Sequence, residues 1–504
     1  MNHKLITFSL IVLVALAACK KKQPDPPVLS TDKAFISFTL EKELNPVLSE
    51  TVSAEIGTNE ILLHIPKIAQ REELIASFEY KGITVFLDTT EQVSGISSNF
   101  FNQPLSYVIH AEDSSKTSYS VTVTWVPEPG PVLPHIFIQL YDDHQIGDIN
   151  KENYITGYME IDGKGKYDMY EGELEIKGRG NNTWTLPKKP YRLKLTEKAS
   201  LLDLPAYKDW VLLAEYLDGT MLYNSIPFKT GHLLDIPYTN HMFPVELTIN
   251  GEYQGVYTFT ENKDVGEDRI DIGADGVLLE MDSSLDEDWC FVSDKYELPV
   301  MIQNPKSKNI TEELFNEIKD DFEQFEALLF EDDFPNNEYL NYFDDLAFVN
   351  YMIVHQLTLN QEINIPRSTY INRPVGEKYN MGIIWDFDWG FGYSLTREHF
   401  DMSAVNAPLL GNQKPGSLFF QRLMSDPHMK NLFKDRWNWF KTNKYKELKE
   451  YVSEYAFTIQ PALAEDHALW GERGSTGNTE QDLQKVLDWL DARVSYIDGY
   501  VSDF

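Results

Sequence analysis

Two aspartates separated by a single residue, Asp386 and Asp388, lie in an apolar and aromatic stretch of the chain, residues 385–392. If the backbone is extended there, both carboxylates point to one face and Phe387 points to the other. Neighbouring carboxylates repel each other, and burying them without a compensating charge is costly. Hard oxygen ligands of this kind suit Mg²⁺ or Mn²⁺. The spacing therefore predicts a divalent-metal site, in preference to a helix cap or an arginine partner for one of the two carboxylates.

A cation-rich strand is predicted at residues 191–195, after a loop that contains Gly178 and Gly180. Its apolar side chains alternate with Arg192 and Lys194, which share the opposite face of the strand. Because glycine lacks a Cβ atom, backbone N–H groups in such a loop can approach a phosphate closely. The two features together favour a phosphate clamp. A plain hairpin turn followed by a charged edge strand would show the same pattern.

The elements that must position these residues follow in a meaningful order. A helix is predicted at residues 221–234. Asn250-Gly251 between alternating apolar runs strongly indicates a hairpin. Helical periodicity begins at Thr311, and the aspartate pair comes later still. Protein kinases arrange their parts in this order, from the phosphate-covering loop and the lysine strand to the metal-binding aspartate.

Four blocks of sequence make the pattern specific: residues 178–195, 209–220, 250–261 and 385–392. In these blocks the chain resembles the CotH (spore coat protein H) family of atypical protein kinases, over roughly residues 135–500. The resemblance implies an α+β kinase-like fold with a helical C-terminal part. It also implies ATP with Mg²⁺ or Mn²⁺ as cofactor, and phosphoryl transfer to Ser or Thr of a protein partner.

The resemblance further implies roles for individual residues. Asp386, Asp388 and Ser368 would bind the metal. Glu362 would be the catalytic base, and Lys194 the catalytic cation that binds phosphate. The residues expected to bind the nucleotide are Arg179, Asn181, Lys189, Arg192 and Glu261.

The predicted catalytic loop departs from the family pattern. Family members generally have an Asp there with an Asn a few residues on, whereas this chain has Glu362 followed by Asn364 or Ser368. The Glu carboxylate lies one methylene further from the backbone, and misplacement by about 1 Å can cost on the order of a hundredfold in rate. The alternative function is therefore a weak or inactive pseudokinase that binds a protein or glycan partner at the cell surface.

Composition and net charge limit the number of domains and the classes of partner. The chain has 504 residues, 42% of them hydrophobic, which is globular and too long for one ordinary core, so two or three domains are expected. Its formal net charge is −35. A field of this sign repels nucleic acid, so a nucleic-acid partner is not expected.

The first residues have the features of a lipoprotein signal. Lys4 precedes an apolar run, residues 5–16, that is too short to span a membrane and ends in Leu-Ala-Ala before Cys19. We predict a signal peptide at 1–18 and lipidation of Cys19; an ordinary signal peptide with a chance cysteine is the alternative. The protein would then sit in the cell envelope, held by its lipid anchor alone, and Lys20 favours the outer membrane.

The remaining chain divides by composition. Residues 19–31 hold lysines and prolines and read as a tether. Residues 32–126 contain short alternating strands and predict an all-β Ig-like sandwich. The proline-rich residues 127–134 predict a linker. Residues 135–504 form the predicted α+β kinase-like domain.

Overall fold

The structure is a computed structural model that describes residues 28–48, 50–66, 69–70, 72–126 and 132–504. The chain forms two compact units, Met1–Glu128 and Pro129–Phe504. The predicted signal peptide, Cys19, most of the tether and part of the linker lie outside the described residues. Lipidation and the exact extent of each domain stay predictions.

The described part of the first unit consists of short strands. In chain order these are β1 (Ala34–Leu40), β2 (Val52–Ser53), β3 (Glu55–Ile56), β4 (Glu60–Pro66), β5 (Leu74–Ile75), β6 (Ser77–Lys81), β7 (Thr84–Leu87), β8 (Thr90–Glu91), β9 (Ser98–Asn99), β10 (Leu105–His110) and β11 (Lys116–Val126).

Two sheets of this unit share one buried core. Their strand orders are β2-β1-β6 and β3-β4-β11-β10-β7-β8, and β5 pairs separately with β9. Phe38 comes from the smaller sheet and Ile61 and Tyr107 from the larger one, and all three belong to the same apolar cluster. β4 and β11 pair in parallel. The predicted β-rich character is confirmed, while the Ig-like assignment stays a prediction.

The second unit begins with a closed barrel. Its strands are β12 (His135–Leu140), β13 (Ile155–Asp162), β14 (Tyr170–Gly178), β15 (Tyr191–Ala199), β16 (Tyr207–Leu213), β17 (Met242–Ile249) and β18 (Glu252–Glu261). Their order is β12-β13-β14-β15-β16-β18-β17, and the parallel pairing of β12 with β17 closes the barrel. Side chains that alternate along the strands, such as Leu193 and Trp210, fill its core.

Two local predictions hold in the barrel. The turn between β17 and β18 is formed by Asn250 and Gly251, both at positive φ (50° and 79°), as a type I′ hairpin requires. Helix α1 (Ser225–Leu233) lies between β16 and β17, inside the predicted helical segment 221–234.

An antiparallel sheet and further helices follow the barrel. The strands are β19 (Val277–Met281), β20 (Cys290–Val292), β21 (Pro299–Asn304), β22 (Thr369–Arg373) and β23 (Asn380–Met381), in the order β20-β21-β19-β22-β23. The helices are α2 (Glu312–Phe330), α3 (Asp345–Thr358), α4 (Tyr393–Thr396), α5 (Pro415–Leu423), α6 (Pro427–Asn443), α7 (Tyr445–Trp470) and α8 (Thr479–Ser502).

The start of the helical part is set by a side-chain cap. The Thr311 hydroxyl accepts a hydrogen bond from the Leu314 backbone N at 3.2 Å, which satisfies one of the free donors at the start of α2. The predicted change to helical periodicity at Thr311 is confirmed. None of the described helices is long and apolar enough to cross a membrane.

A buried ion pair ties α7 to the barrel. The Lys188 ammonium lies 2.5 Å from the Asp466 carboxylate, and both side chains are fully buried. Arg473 binds the other carboxylate oxygen at 2.6 Å, and the Val256 backbone N donates to the first at 3.0 Å. Gly255 adopts φ 94°, and a Cβ atom there would lie 2.2 Å from Asp466. Only glycine fits this close approach.

Candidate functional site

A cavity of about 530 Å³ lies where loops of the barrel face the antiparallel sheet and the helices of the second unit. Its walls come from five parts of the chain: residues 179–183, Lys263, residues 280–303, residues 362–368 and residues 385–389. The cavity therefore gathers the predicted phosphate loop, the predicted catalytic loop and the aspartate pair.

Three carboxylates meet in this cavity. One oxygen each of Glu362, Asp386 and Asp388 lies within 4.8 Å of the other two. Asp388 is only 5% exposed. Burial and the neighbouring carboxylates raise the pKa of both Glu362 and Asp388 well above its usual range. Crowded, desolvated oxygens of this type fit a divalent cation, whose charge would offset their repulsion.

The backbone at the two aspartates is not extended, as we expected, but forms a turn that brings their carboxylates together. Residues 382–387 form no strand, and Asp386 adopts a left-handed conformation with φ 63°. The Asn360 side chain holds this turn, because its Nδ2 donates to the Asp386 carbonyl at 3.2 Å. Its Oδ1 accepts from the Glu362 backbone N at 3.3 Å. One amide thus fixes the backbone of two cluster members.

A second amide holds the turn from the barrel side. Asn224 precedes α1, and its Oδ1 accepts a hydrogen bond from the Phe387 backbone N at 3.2 Å. Its Nδ2 donates to the Glu215 carboxylate at 3.0 Å. Burial raises the pKa of Glu215 to about 7. The backbone between the two aspartates is therefore fixed by a buried polar chain that our motif reading did not identify.

Ser368 lies at the edge of the carboxylate cluster. Its hydroxyl is 3.5 Å from the Asp386 carboxylate, and its backbone N donates to Asp282 at 3.1 Å. Asn364 was the other candidate for the position of the family's Asn. Its side chain donates to the carbonyls of Gln361 and Leu409, and it does not line this cavity. Of the two residues, Ser368 is the one near the expected metal.

Two residues of the predicted phosphate loop line the cavity as expected. The Arg179 guanidinium lies 5.5 Å from the ring centroid of Trp385. Burial lowers the pKa of Arg179, and the Asp386 carboxylate acts in the opposite direction. Asn181 accepts a hydrogen bond from Lys151 at 3.1 Å.

Lys263 is a site residue that the sequence reading missed. Its ammonium contacts the Tyr370 hydroxyl, lies 5.3 Å from the Trp385 ring centroid and is 3.9 Å from Glu280. Burial lowers the pKa of Lys263 below its usual value, and the charges of the Glu280 and Asp386 carboxylates oppose part of this shift. The one feature of the sequence that could have indicated Lys263 is its position two residues after β18, where the chain leaves the barrel.

The strand cations lie away from the cavity, which corrects the prediction for Lys194 and Arg192. Lys194 pairs with Glu175 at 3.1 Å, and Arg192 pairs with Asp209 at 2.7 Å. Alternate side chains of β15 fill the barrel core, so these cations face outwards, where they meet carboxylates on the neighbouring strands. Lys194 therefore does not face Asp386 across the cleft.

Two further residues that we expected to bind the nucleotide, Lys189 and Glu261, do not line the cavity. Lys189 donates to the Trp184 carbonyl at 2.7 Å and packs over that ring, outside the cavity. Glu261 binds the Nδ1 and the backbone N of His241, each at 2.8 Å, and these contacts lower its pKa. The Lys189 ammonium and the Glu261 carboxylate are therefore already bound to neighbouring groups.

The family comparison covers the part of the chain that forms the cavity. The sequence model described as CotH kinase protein matches residues 176–497, which contain every wall of the cavity. The chain belongs to the CotH kinase family. No curated protein matches it significantly.

One solved structure similar to this CotH-family chain is described as "a putative glycoside hydrolase from Bacteroides thetaiotaomicron". The two chains share 15% sequence identity, and the match covers 59% of this chain and 89% of the other, with a TM-score of 0.16. A likeness of that size supports no statement about fold or activity.

The charge balance of the CotH-family cavity is negative. Its cationic residues are Arg179, Lys263 and Arg367. Its carboxylates outnumber these by four and are Glu280, Asp282, Asp286, Glu287, Glu362, Asp386 and Asp388. A polyphosphate would be repelled from such a surface unless a divalent cation entered with it or before it.

Proposed function

We propose that this CotH-family protein transfers a phosphoryl group from ATP to a Ser or Thr hydroxyl of a protein partner, with Mg²⁺ or Mn²⁺. The observation that carries the proposal is the meeting of Glu362 with Asp386 and Asp388, in a cavity that also holds Arg179 and Lys263. The barrel and the following helical part would correspond to the two lobes of an atypical kinase.

The carboxylate cluster is the proposed metal site. Asp386 and Asp388 would hold the cation, with Ser368 beside Asp386 and Glu362 as the neighbouring carboxylate. The cation would offset charge on the phosphates. Arg179 and Lys263 would neutralise further phosphate oxygens, in the place we first gave to Lys194. Catalysis would rest on positioning and charge neutralisation, as in other phosphoryl transfers.

Glu362 is the proposed base. In the transfer, the acceptor hydroxyl oxygen forms a bond to the γ-phosphorus, and the bond from that phosphorus to the β–γ bridging oxygen breaks. ADP leaves with the electron pair of the broken bond, and the hydroxyl proton passes to Glu362. Burial and the Asp386 charge raise the pKa of this carboxyl in the metal-free protein, and a positioned carboxylate is a common general base in proton transfer.

A second candidate function keeps the nucleotide but omits the transfer. Glu362 lies inside the carboxylate cluster, so a bound cation would compete with the proton for its oxygens. The protein would then be a pseudokinase that binds a protein or glycan partner. In either case we propose a lipid anchor at Cys19 and a place in the cell envelope, probed by the release of a Cys19→Ser variant from membranes.

The experiment that separates the two functions measures transfer directly. The protein is incubated with ATP, Mg²⁺ and a mixture of hydroxyl-bearing polypeptides, and phosphoserine and phosphothreonine are quantified by mass spectrometry. Transfer that disappears in Glu362→Gln supports the kinase. Binding of metal and nucleotide with no transfer to any acceptor supports the pseudokinase.

A further inference from the structure

A second cavity adjoins the metal-binding one. It has a volume of about 290 Å³, and Glu362, Arg367 and Trp389 line both cavities. We call it the acceptor groove; its other walls include Gln361 and Lys414. Because the proposed base forms a shared wall, a hydroxyl held in this groove is close to the carboxylate that would take its proton.

The charge of the groove is opposite to that of the first cavity. Its carboxylate is Glu362, and its cations are Arg367 and Lys414, both exposed. Neither cation forms a salt bridge among the described residues, although Arg367 donates to the Ser283 hydroxyl at 3.4 Å and its charge acts on Glu362. The whole chain carries a net charge of −35, so two exposed cations without a salt bridge beside a proposed reaction centre favour a ligand with negative charge.

The groove also retains hydrogen-bonding capacity. Asn364 lines it and is 4% exposed, and its Oδ1 finds no partner among the described residues, whereas its Nδ2 makes two hydrogen bonds. A buried acceptor without a donor is destabilising. This oxygen needs a donor, which a backbone N–H of a bound polypeptide can supply and a simple anion cannot.

We propose that the acceptor groove binds the substrate polypeptide and selects a hydroxyl that lies next to an anionic group. Arg367 and Lys414 would bind the anion, and Glu362 would face the hydroxyl. The inference rests on the proposed phosphoryl transfer and adds its substrate class. The anion is a carboxylate side chain or a phosphate already present on the polypeptide.

The negative charge of the protein opposes such a ligand only at long range. Exposed charges separated by more than about 8 Å are largely screened at physiological ionic strength. Contacts at Arg367 and Lys414 act within that distance, so the local pair of cations decides whether the anion binds.

The test measures peptide binding to the full chain in detergent, without nucleotide or metal, by fluorescence anisotropy. Four labelled peptides of equal length carry one Ser flanked by Glu, by phosphoserine, by Gln or by Lys. We expect the Glu and phosphoserine peptides to bind more tightly than the Gln peptide, and the Lys peptide to bind least. The stronger of the first two identifies the source of the anion.

A matched pair of variants locates the contact. Lys414→Glu should weaken binding of the anionic peptides about five- to tenfold, since it replaces an exposed attraction with a repulsion. Lys378→Glu makes the same charge change at an exposed loop position outside both cavities and should leave affinity unchanged. Unfolding temperatures of both variants should equal that of the parent.

Equal affinity for all four peptides, no binding of any of them, or equal loss in the two variants would overturn the inference. Nucleotide stabilisation is measured separately. If it is absent while Lys414 still governs peptide affinity, the phosphoryl-transfer proposal fails and the groove remains a binding site for anionic polypeptide. If nucleotide stabilisation holds and peptide selectivity fails, only the substrate class is wrong.

Discussion

Asn224 accepts a hydrogen bond from the backbone N of Phe387 at 3.2 Å, although the two residues are 163 positions apart in the chain. Phe387 separates the two aspartates of the proposed metal site. The barrel, through the start of α1, therefore holds the turn on which Asp386 and Asp388 depend.

Replacing this amide should loosen the metal site without unfolding the protein. Loss of a group that orients metal ligands typically costs 10- to 100-fold in metal affinity, and we expect roughly tenfold for Asn224→Ala because Asn360 still holds the turn. Mn²⁺ binding followed by electron paramagnetic resonance checks this. Asn380→Ala is the control, because its side chain donates to the Lys378 carbonyl away from the cavity. Equal affinities in the two variants would count against a positioning role for Asn224.

The stability of the metal-free protein should depend on pH through Glu362 and Asp388. Both carboxyl groups have a raised pKa in the folded protein, whereas in an unfolded chain their pKa values are about 4.3 and 3.9. The folded state then binds more protons than the unfolded state between those values and the raised ones. Their contribution to stability therefore falls as pH rises through that window.

Thermal unfolding between acidic and neutral pH measures this dependence. Asp388→Asn should flatten it, because the variant removes one charge and relieves the repulsion on Glu362. Saturating Mg²⁺ should flatten it in the parent protein. A parent and an Asp388→Asn variant with the same pH dependence would show that the carboxylates are not crowded as the structure has them.

Replacing Lys263 or Lys194 by Met should have different effects on the affinity for metal-nucleotide. Lys263→Met should weaken binding of metal-nucleotide at least tenfold, because its ammonium lines the cavity beside Trp385. Lys194→Met should leave that affinity unchanged, because Lys194 pairs with Glu175 on the outside of the barrel. Titration with a fluorescent ATP analogue and Mg²⁺ compares them. A larger loss for Lys194→Met would restore the original assignment of the phosphate-binding cation.

The buried pair of Lys188 and Asp466 should matter for stability. Removing one partner of a buried ion pair leaves an uncompensated charge and typically costs about 3–5 kcal/mol. For Lys188→Met we expect the lower end of that range, because Arg473 still contacts Asp466 at 2.6 Å. Denaturant unfolding gives the difference. A loss below about 1 kcal/mol would place the pair with ordinary surface contacts.

Local signals in the sequence were strong enough to predict several elements. The Asn250-Gly251 turn needs positive φ at both residues, and Thr311 can cap a helix by its own side chain, so both follow from short-range chemistry. The aspartate pair was found for a similar reason, since two carboxylates in an aromatic stretch demand a counter-charge.

The positions that the sequence did not predict share a different physical cause. Alternation along β15 separates Lys194 from Leu193, but it does not reveal whether the polar face looks into a cleft or onto neighbouring barrel strands. Lys263 lies in a loop with no periodic pattern, and Asn224 acts through a contact that only the tertiary fold creates. Sequence patterns show which residues can do chemistry better than they show what those residues face.

The most direct test of the proposed metal and nucleotide site is thermal stabilisation by ATP with and without Mg²⁺. A ligand that binds only the folded state at roughly 100 times its dissociation constant stabilises by about 2.7 kcal/mol. We predict a rise in unfolding temperature with ATP and Mg²⁺ together, none with ATP alone, and no nucleotide-dependent rise in a folded Asp386→Asn variant. ATP stabilisation that is independent of Mg²⁺, or that survives unchanged in Asp386→Asn, would contradict the assignment of this cavity.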